Sequence, residues 1–380
     1  LVLCLIPLIT VSLVAYSSAR NTITNQVLNQ LKSISDVQGH RTQIIIENNL
    51  EKIATLSSRT QLLTDLANYN NSGDIALQQT MNANLQDALS SLITFEEISV
   101  LNTSGEIVAS TEGSRIGEFH SGEEFFTRGL TENSADILFL DEEGRLMVYV
   151  SGPMYKDGIL LGVVKAKATS YDLIFITQDY SGLGDTGETL LARRNQDGDA
   201  TFIVPLRFDP DAVLKTTISK DLIEVPITQA LLKNESVFTD SKDYRGEPVL
   251  ASTRYIPSAD WGLVAKIDVA EAYSPLNNLG NVMIVLLLVT STLVVAISLY
   301  TTRIITRPIL SLAQTALEIG EGDLSKRAEV TTKDEVGTLA RSFNAMTEHL
   351  IESQSSLEQK VKDRTIQLEK EIIEHKRVDN

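Results

Sequence analysis

The sequence predicts an α+β protein assembled in stages. A long helix leads into two small antiparallel-sheet units, apolar helices of membrane-spanning length stand at both edges of that block, and an all-α tail closes as a four-helix bundle only when two copies meet. Three observations predict this. Uncharged apolar runs occupy 1–19 and 279–302. Between them the hydrophobic period switches from three-and-four to two after about residue 94. The tail beyond Arg303 carries heptad seams on two helices.

Residues 1–19, LVLCLIPLITVSLVAYSSA, hold no charge and no clean small-x-small cleavage site, and their pattern runs on into a helix. They are expected to stay on as a first transmembrane helix. The only cysteine, Cys4, lies there, so no intrachain disulfide is possible. Residues 20–94 read as a helical segment. Ile23, Val27, Leu31 and Ile34, then Ile46, Leu50, Ile53 and Leu56, recur at three- and four-residue steps and predict one helix over 20–68. At ~1.5 Å per residue it is on the order of 70 Å long, too long to pack only on its own domain, so part of it is expected to pair with a second copy. A second helix over 73–92 follows Asn71-Ser72-Gly73.

Two strand-rich units follow, at 95–178 and 179–272. EISVLNTSGEIVAST reads strand, turn, strand, and LMVYVSGPMYKDGILLGVVKAKA reads as two more strands around Lys-Asp-Gly. The same grammar returns in TLLARRNQDGDATFIVP and PVLASTRYIPSADWGLVAKID. Gly162-Val163-Val164 matches Gly262-Leu263-Val264, each after a strand bearing Ser151 or Ser252, which implies a duplicated unit. Val163, Lys165 and Lys167 share one strand face, while Val164, Ala166 and Ala168 share the other. If the lysine face lines a pocket, an anionic ligand such as a carboxylate is favoured. The lysines read equally as solvent-facing charges, and Phe125 and Phe126 as plain core.

The run 279–302 is long enough to cross a bilayer, and Arg303 and Arg307 behind it mark the cytoplasmic side. Residues 20–271 are therefore expected outside and the tail inside. The outer block holds 21 Lys and Arg against 36 Asp and Glu, a balance of −15 that repels phosphate backbones and excludes nucleic acid as a partner. In the tail, Ile309, Leu312, Ala316 and Ile319 form one seam and Val336, Leu339, Phe343, Met346 and Leu350 another. They are joined by GEGDLSKRAEVTTKDE, whose only large apolar residues are Leu324 and Val330. Two such parallel helices bury their seams only in a homodimer. Pro308 suits the first position of a helix restarting after the span. Residues 355–380 read as a coiled-coil linker with a stutter at Val361. Starting at Leu1 and stopping within a charged helical pattern, the chain reads as a fragment open at both ends.

Two tracts carry a family resemblance. GLGDTGETLL (182–191) and DYRGEPVLASTRYIPSADWGLVAKIDVAEAY (243–273) resemble the membrane-proximal half of double Cache (dCache) domains in bacterial and archaeal receptors. The resemblance implies two PAS-like halves, with 95–178 distal and 179–272 proximal, and a small ligand held by the distal half. Amino-acid-binding members share an Arg two before an aromatic pair, a later Tyr-x-Asp and a closing Asp. Here the pair is Phe125-Phe126 and the later element Phe139-Leu140-Asp141, but Glu123 stands at the Arg position and Lys167 at the closing Asp. Two charges are reversed, which argues against ordinary amino-acid recognition. The candidate ligand residues are Phe125, Phe126, Phe139, Asp141, Lys165 and Lys167.

Pro308, the turn Gly320-Glu321-Gly322-Asp323-Leu324 and Asp334-Glu335-Val336-Gly337 resemble the HAMP domain of membrane signalling proteins, here 303–354. That implies signalling roles for Pro308, Gly322, Leu324 and Glu335, the last tying the second helix to the start of the first. LEQKVKDRTIQLEKEIIEHKRVDN resembles the linker that joins HAMP to a PAS, histidine kinase or diguanylate cyclase domain. Together these imply a dimeric two-pass receptor of the plasma (inner) membrane, sensing a small extracellular ligand and signalling through HAMP to a cytoplasmic output domain. A histidine kinase working on a response regulator is the first expectation; a GGDEF-type diguanylate cyclase sensor and a non-enzymatic methyl-accepting chemoreceptor are the alternatives. ATP and Mg are expected only for such a kinase domain, and no cofactor for these 380 residues.

No catalytic site is legible. Gly182-Leu183-Gly184-Asp185-Thr186-Gly187 satisfies G-x-G-x-x-G, but a helical stretch precedes it and a strand follows, the reverse of a dinucleotide-binding loop. His375, followed by Lys376-Arg377-Val378, lacks the surroundings of a phosphoacceptor, and His40, His120 and His349 lack metal-ligand spacing.

Overall fold

The computed structural model describes residues 2–378, and side chains over 6–372; Cys4 and His375 have side chains outside that range. The chain forms two compact units. One spans Ser17–Asn278; the other combines Leu1–Tyr16 with Leu279–Asn380.

In the first unit the expected helix over 20–68 is broken. α1 (Val2–Ser57) ends and α2 (Thr60–Ser72) starts after Ser58-Arg59. Ser57 and Ser58 both turn their hydroxyls back onto helix carbonyls, those of Ala54 and Thr55, which competes with the helical ladder. The break lets Leu62 and Leu66 join the same core as Ile53 and Leu56. Gly73 then closes α2 in the left-handed conformation, and Asp74 caps α3 (Ile75–Ser91) by accepting from the Ala76 N–H at 2.9 Å.

The distal sheet contains β1 (Phe95–Asn102), β2 (Ile107–Ser110), β3 (Ser134–Leu140), β4 (Leu146–Lys156) and β5 (Ile159–Thr169), in the order β2-β1-β5-β4-β3. The proximal sheet contains β6 (Glu188–Arg194), β7 (Ala200–Phe202), β8 (Thr217–Ile218), β9 (Val237–Lys242), β10 (Pro248–Ile256) and β11 (Trp261–Asp268), in the order β8-β7-β6-β11-β10-β9. Apart from the extra edge strand β8 the two orders coincide, as a duplicated unit requires. One helix serves both: Ile46, Ile53 and Leu56 of α1 enter the distal core, while Leu28 and Leu31 pack with Leu250 and Ala265 of the proximal sheet. On the opposite faces sit the short helices α4 (Glu124–Gly129) and α6 (Pro226–Leu231), while α5 (Tyr171–Thr177) and α7 (Val269–Ala272) follow β5 and β11.

The repeat is nevertheless out of register with its sequence alignment. Ser151 points to α4, donating to the Phe125 carbonyl at 2.8 Å, whereas Ser252 points to α1, 2.8 Å from Ser35 Oγ. The matched glycines and serines therefore mark matched strands but opposite faces. Side chains alternate with period two, so a one-residue slip reverses every face.

In the second unit α8 (Ser274–Thr301) does not stop at the arginines. It passes through a π turn, Thr302–Thr306, into α9 (Arg307–Gly320). Among the described residues, this helix is the one long and apolar enough to cross a membrane. The expected restart at Pro308 is replaced by a continuous helix. Proline has no N–H for the usual bond four residues back, and the wider turn, closed by Arg307 N–H on the Thr302 carbonyl, absorbs the defect.

After Gly322, in the left-handed region at φ 109°, the connector returns to α10 (Glu335–Val378), unbroken to its end. Leu312, Ala328 and Ala340 form the small core of a single copy, leaving Ile309, Leu339, Met346 and Leu350 exposed. Asn344 holds the connector with both ends of its amide, accepting from the Ala328 N–H and donating to the Ala328 carbonyl, each at 2.8 Å. Asp334 caps α10, accepting from the N–H groups of Val336 and Gly337. Glu335 makes no hydrogen bond or ion pair among the described residues of this single chain.

Candidate functional site

The α4 face of the distal sheet gathers an apolar wall and one unsatisfied charge. Phe125 and Phe126 of α4 pack with Leu101, Ile107, Ile137 and Val163, all buried. Tyr149 of β4 joins them: its ring centroid lies 4.9 Å from Phe125 and 4.1 Å from Phe139, stacked on the latter. Lys165 enters this wall from β5, on the face shared with Val163. It is 0 % exposed, with its ammonium 4.9 Å from the Phe125 ring and 4.8 Å from the Tyr149 ring. Glu97 Oε1 is 3.7 Å away, beyond hydrogen-bond range, and among the described residues no atom accepts a hydrogen bond from Lys165 Nζ. Burial pushes the Lys165 ammonium down to about 8, with Glu97 pulling the other way.

Glu97 is already engaged. It accepts from Arg115 Nη1 at 3.0 Å and from Ser99 Oγ at 2.9 Å. Arg115 comes from the loop between β2 and α4 and also pairs with Glu118 at 3.0 Å. In the same loop His120 lies between Glu123, 2.6 Å from Nδ1, and Glu118, 3.2 Å from Nε2, with its ring 5.6 Å from Phe125. The carboxylates around the wall thus have cationic or donor partners of their own. Lys165 is the donor there that lacks an acceptor.

The structure brings Phe125, Phe126, Phe139 and Lys165 together but sets Asp141 and Lys167 apart. Asp141 caps its own turn, accepting from the N–H groups of Glu143 and Arg145, and pairs with the Arg145 guanidinium at 2.8 Å. Arg145 forks onto Glu96 at 3.0 and 3.1 Å. Lys167 bridges Asp141 and Glu96 at 3.6 and 3.7 Å. That quartet is self-satisfied. Residue reading missed Glu97, Arg115 and Tyr149. Tyr149 had a signal, since period-two alternation along β4 and pairing opposite Lys167 put it on this face. Arg115 had none, because its loop has no periodicity.

The proximal half has an analogous buried lysine with the opposite balance. Lys266, 0 % exposed, lies 2.9 Å from Glu188 and 2.7 Å from Asp243. Tyr244 donates to Glu188 at 3.0 Å and Arg245 pairs with Asp243 at 2.7 Å. This half sets two carboxylates within 2.9 Å of its ammonium, whereas the distal half sets a single carboxylate 3.7 Å from Lys165. Among the described residues no group of three or more His, Cys, Asp or Glu side chains is disposed to hold a metal ion. The signalling candidates lie at the corners of the second unit: Pro308 just past the π turn, Gly322 and half-buried Leu324 in the connector, and Glu335 at the first turn of α10.

Comparison with known proteins follows the same division. The Cache domain matches residues 19–276 and the HAMP domain residues 300–352. The methyl-accepting chemotaxis protein McpA of Pseudomonas putida is 28% identical over 211 residues, 54% of this chain and 31% of that protein. The sensor protein kinase WalK of Staphylococcus haemolyticus is 28% identical over 91 residues, 24% of this chain and 15% of that one. The chain therefore spans about a third or less of the length of these curated relatives. Among solved structures, the ligand-binding domain of the Campylobacter jejuni chemoreceptor Tlp3 in complex with L-norvaline aligns at a TM-score of 0.46 and 16% identity, over 67% of this chain and 95% of that one.

Proposed function

The chain belongs to the Cache domain family and carries a HAMP domain behind an apolar helix, and from that premise we propose how this transmembrane receptor works. Its sensor faces the outside. The first apolar run acts as a second membrane pass, so that the sensor hangs between two helices and any change in its shape is delivered to both. The distal half takes a small extracellular ligand bearing an acceptor, foremost a carboxylate, against Lys165, Phe125 and Tyr149. The observation that carries this reading is the fully buried ammonium whose one carboxylate, Glu97, stays at 3.7 Å and which makes no hydrogen bond among the described residues. A buried charge left unpaired costs stability, and a ligand that pairs it recovers that cost only in the state where it binds. The asymmetry with Lys266 supports the distal half, not the proximal one, as the ligand-responsive half. The test is a thermal-shift screen of small carboxylates on the chain and on Lys165→Met. At least one should raise the melting point of the parent more than that of Lys165→Met; equal shifts in both proteins for every carboxylate would remove Lys165 from the site.

Inside the cell, two copies are proposed to pair their exposed α9 and α10 seams as a four-helix bundle and to pass the signal along α10. A histidine kinase is proposed as the output, on the resemblance of the 355–380 linker and the similarity to WalK. The chemoreceptor reading is favoured by a separate observation, the longer match to McpA. ATP incubation of the longer gene product separates them. Acid-labile phosphohistidine supports the kinase, and ligand-dependent control of a separately added kinase supports the chemoreceptor.

A further inference from the structure

A cleft lies within the sensor unit between its two halves, away from the Lys165 wall. It encloses about 520 Å³ and is lined by Arg128 and Asp136 from the distal half and by Arg193, Arg194, Ser258 and Trp261 from the proximal half. That volume lies in the range of small-molecule sites. Arg193 and Trp261 are direct partners in the β6–β11 register, so they stand side by side on one face of the sheet.

Donors accumulate here without acceptors. Trp261 is 1 % exposed, and among the described residues neither its Nε1 nor the Ser258 hydroxyl has a hydrogen-bond partner. Arg193 is half-buried, and among the described residues no hydrogen bond or ion pair engages its guanidinium. Native proteins rarely leave such groups unmatched. The other charges in the cleft are engaged. Asp136 accepts from Arg128 Nη1 at 2.7 Å, and Glu132 and Glu124 lie 3.5 and 3.8 Å from the same guanidinium. Asp260 accepts from the Tyr255 hydroxyl at 2.6 Å and lies 3.6 Å from Arg194, which itself donates to the Leu231 carbonyl. Arg193 is thus the cation of the cleft without a carboxylate. Burial pushes the Asp136 carboxyl up, against the pull of Arg128.

We propose that this cleft is a second binding site, taking a small carboxylate on the Arg193 guanidinium with the Trp261 N–H and the Ser258 hydroxyl at its wall. The planar guanidinium matches a carboxylate through two parallel hydrogen bonds. Both halves contribute walls, so an occupant stabilises the arrangement in which they meet and can tune the receptor independently of Lys165.

Trp261 is the only tryptophan in the chain, which makes its emission a built-in reporter. The full chain in lipid nanodiscs is titrated with sodium acetate, lactate and succinate in turn, against sodium chloride at matched ionic strength. At least one carboxylate should change the emission saturably. Arg193→Gln should weaken that response at least tenfold, Arg193→Lys less, with circular dichroism unchanged. Lys165→Met should retain it. The proposal is overturned if no carboxylate acts beyond chloride, if Arg193→Gln responds like the parent, or if Lys165→Met abolishes the response, which would put the carboxylate on the distal wall.

Discussion

Replacing Lys165 by Met should make the receptor more stable while making it insensitive to its ligand. Burial lowers this ammonium from its usual 10.5 to about 8. At 1.36 kcal/mol per unit, holding the charged form in the fold costs roughly 3 kcal/mol at neutral pH. The two ring faces return about 0.5–1 kcal/mol each, so the net penalty is about 1–2 kcal/mol. Methionine fills a similar volume without the charge, and Glu97 is not stranded because Arg115 still holds it. Thermal unfolding in nanodiscs, followed through Trp261, should show a midpoint raised by about 2–8 °C. The pH dependence carries the sign. Below about 8 the folded Lys165 bears its full penalty; between about 8 and 10.5 the folded state has shed the proton and the unfolded state has not, so the parent gains stability with rising pH and the gap to Lys165→Met closes. A variant that melts lower than the parent at pH 7 would refute the reasoning, because it would make the ammonium a structural partner of Glu97 and not a charge held ready for a ligand.

The same substitution at Lys266 should act in the opposite direction. Lys266→Met leaves the buried Glu188 with only the neutral donors Tyr244 Oη and the Arg207 N–H, while Arg245 still holds Asp243, and should cost about 3 kcal/mol, read as a lowered unfolding midpoint. The two aligned glycines should also diverge. A Cβ on Gly162 would stand 1.9 Å from the Leu101 carbonyl on the neighbouring strand, whereas one on Gly262 first meets the Ala230 methyl at 3.0 Å, so alanine should cost about 3 kcal/mol at the first and about 1 at the second. Asn344→Ala removes both hydrogen bonds to Ala328 and should loosen the connector by about 2 kcal/mol, seen as faster amide exchange at Ala328; Asn344→Asp, which can still accept from the Ala328 N–H, should recover part of the protection.

Much of the architecture was legible because it rests on periodicity. Period-two runs located the hairpins of both sheets, and Asp157-Gly158, both at positive φ, form the turn that Lys-Asp-Gly announced. Apolar length located the spanning helix, and heptad steps located the seams. The misses have local causes. The break at Ser58-Arg59 interrupts a hydrophobic stripe that continues across it, so no apolar pattern marks it. The π turn is invisible to a reading that treats proline only as a stop. Asn344 lies off the heptad seam, so periodicity gives it no signal, although its amide replaces a strand partner for Ala328.

The candidate site was half legible. Alternation along β5 by itself determined that Lys165 and Lys167 share a face, and both do project from that strand beside acidic neighbours. It did not determine which of the two is satisfied, because Arg145, Glu96 and Asp141 reach Lys167 from a different turn, while Arg115 reaches Glu97 from a loop and leaves Lys165 behind. What the sequence determined alone are properties of single segments: length, charge, period and the two family signatures. Tertiary structure decided which charges meet, which lysine stays unpaired and which face each half of the repeat turns to α1. Electrostatic pairing depends on distances across chain separations that no local pattern encodes, and a single residue of slip between strands is enough to reverse the outcome.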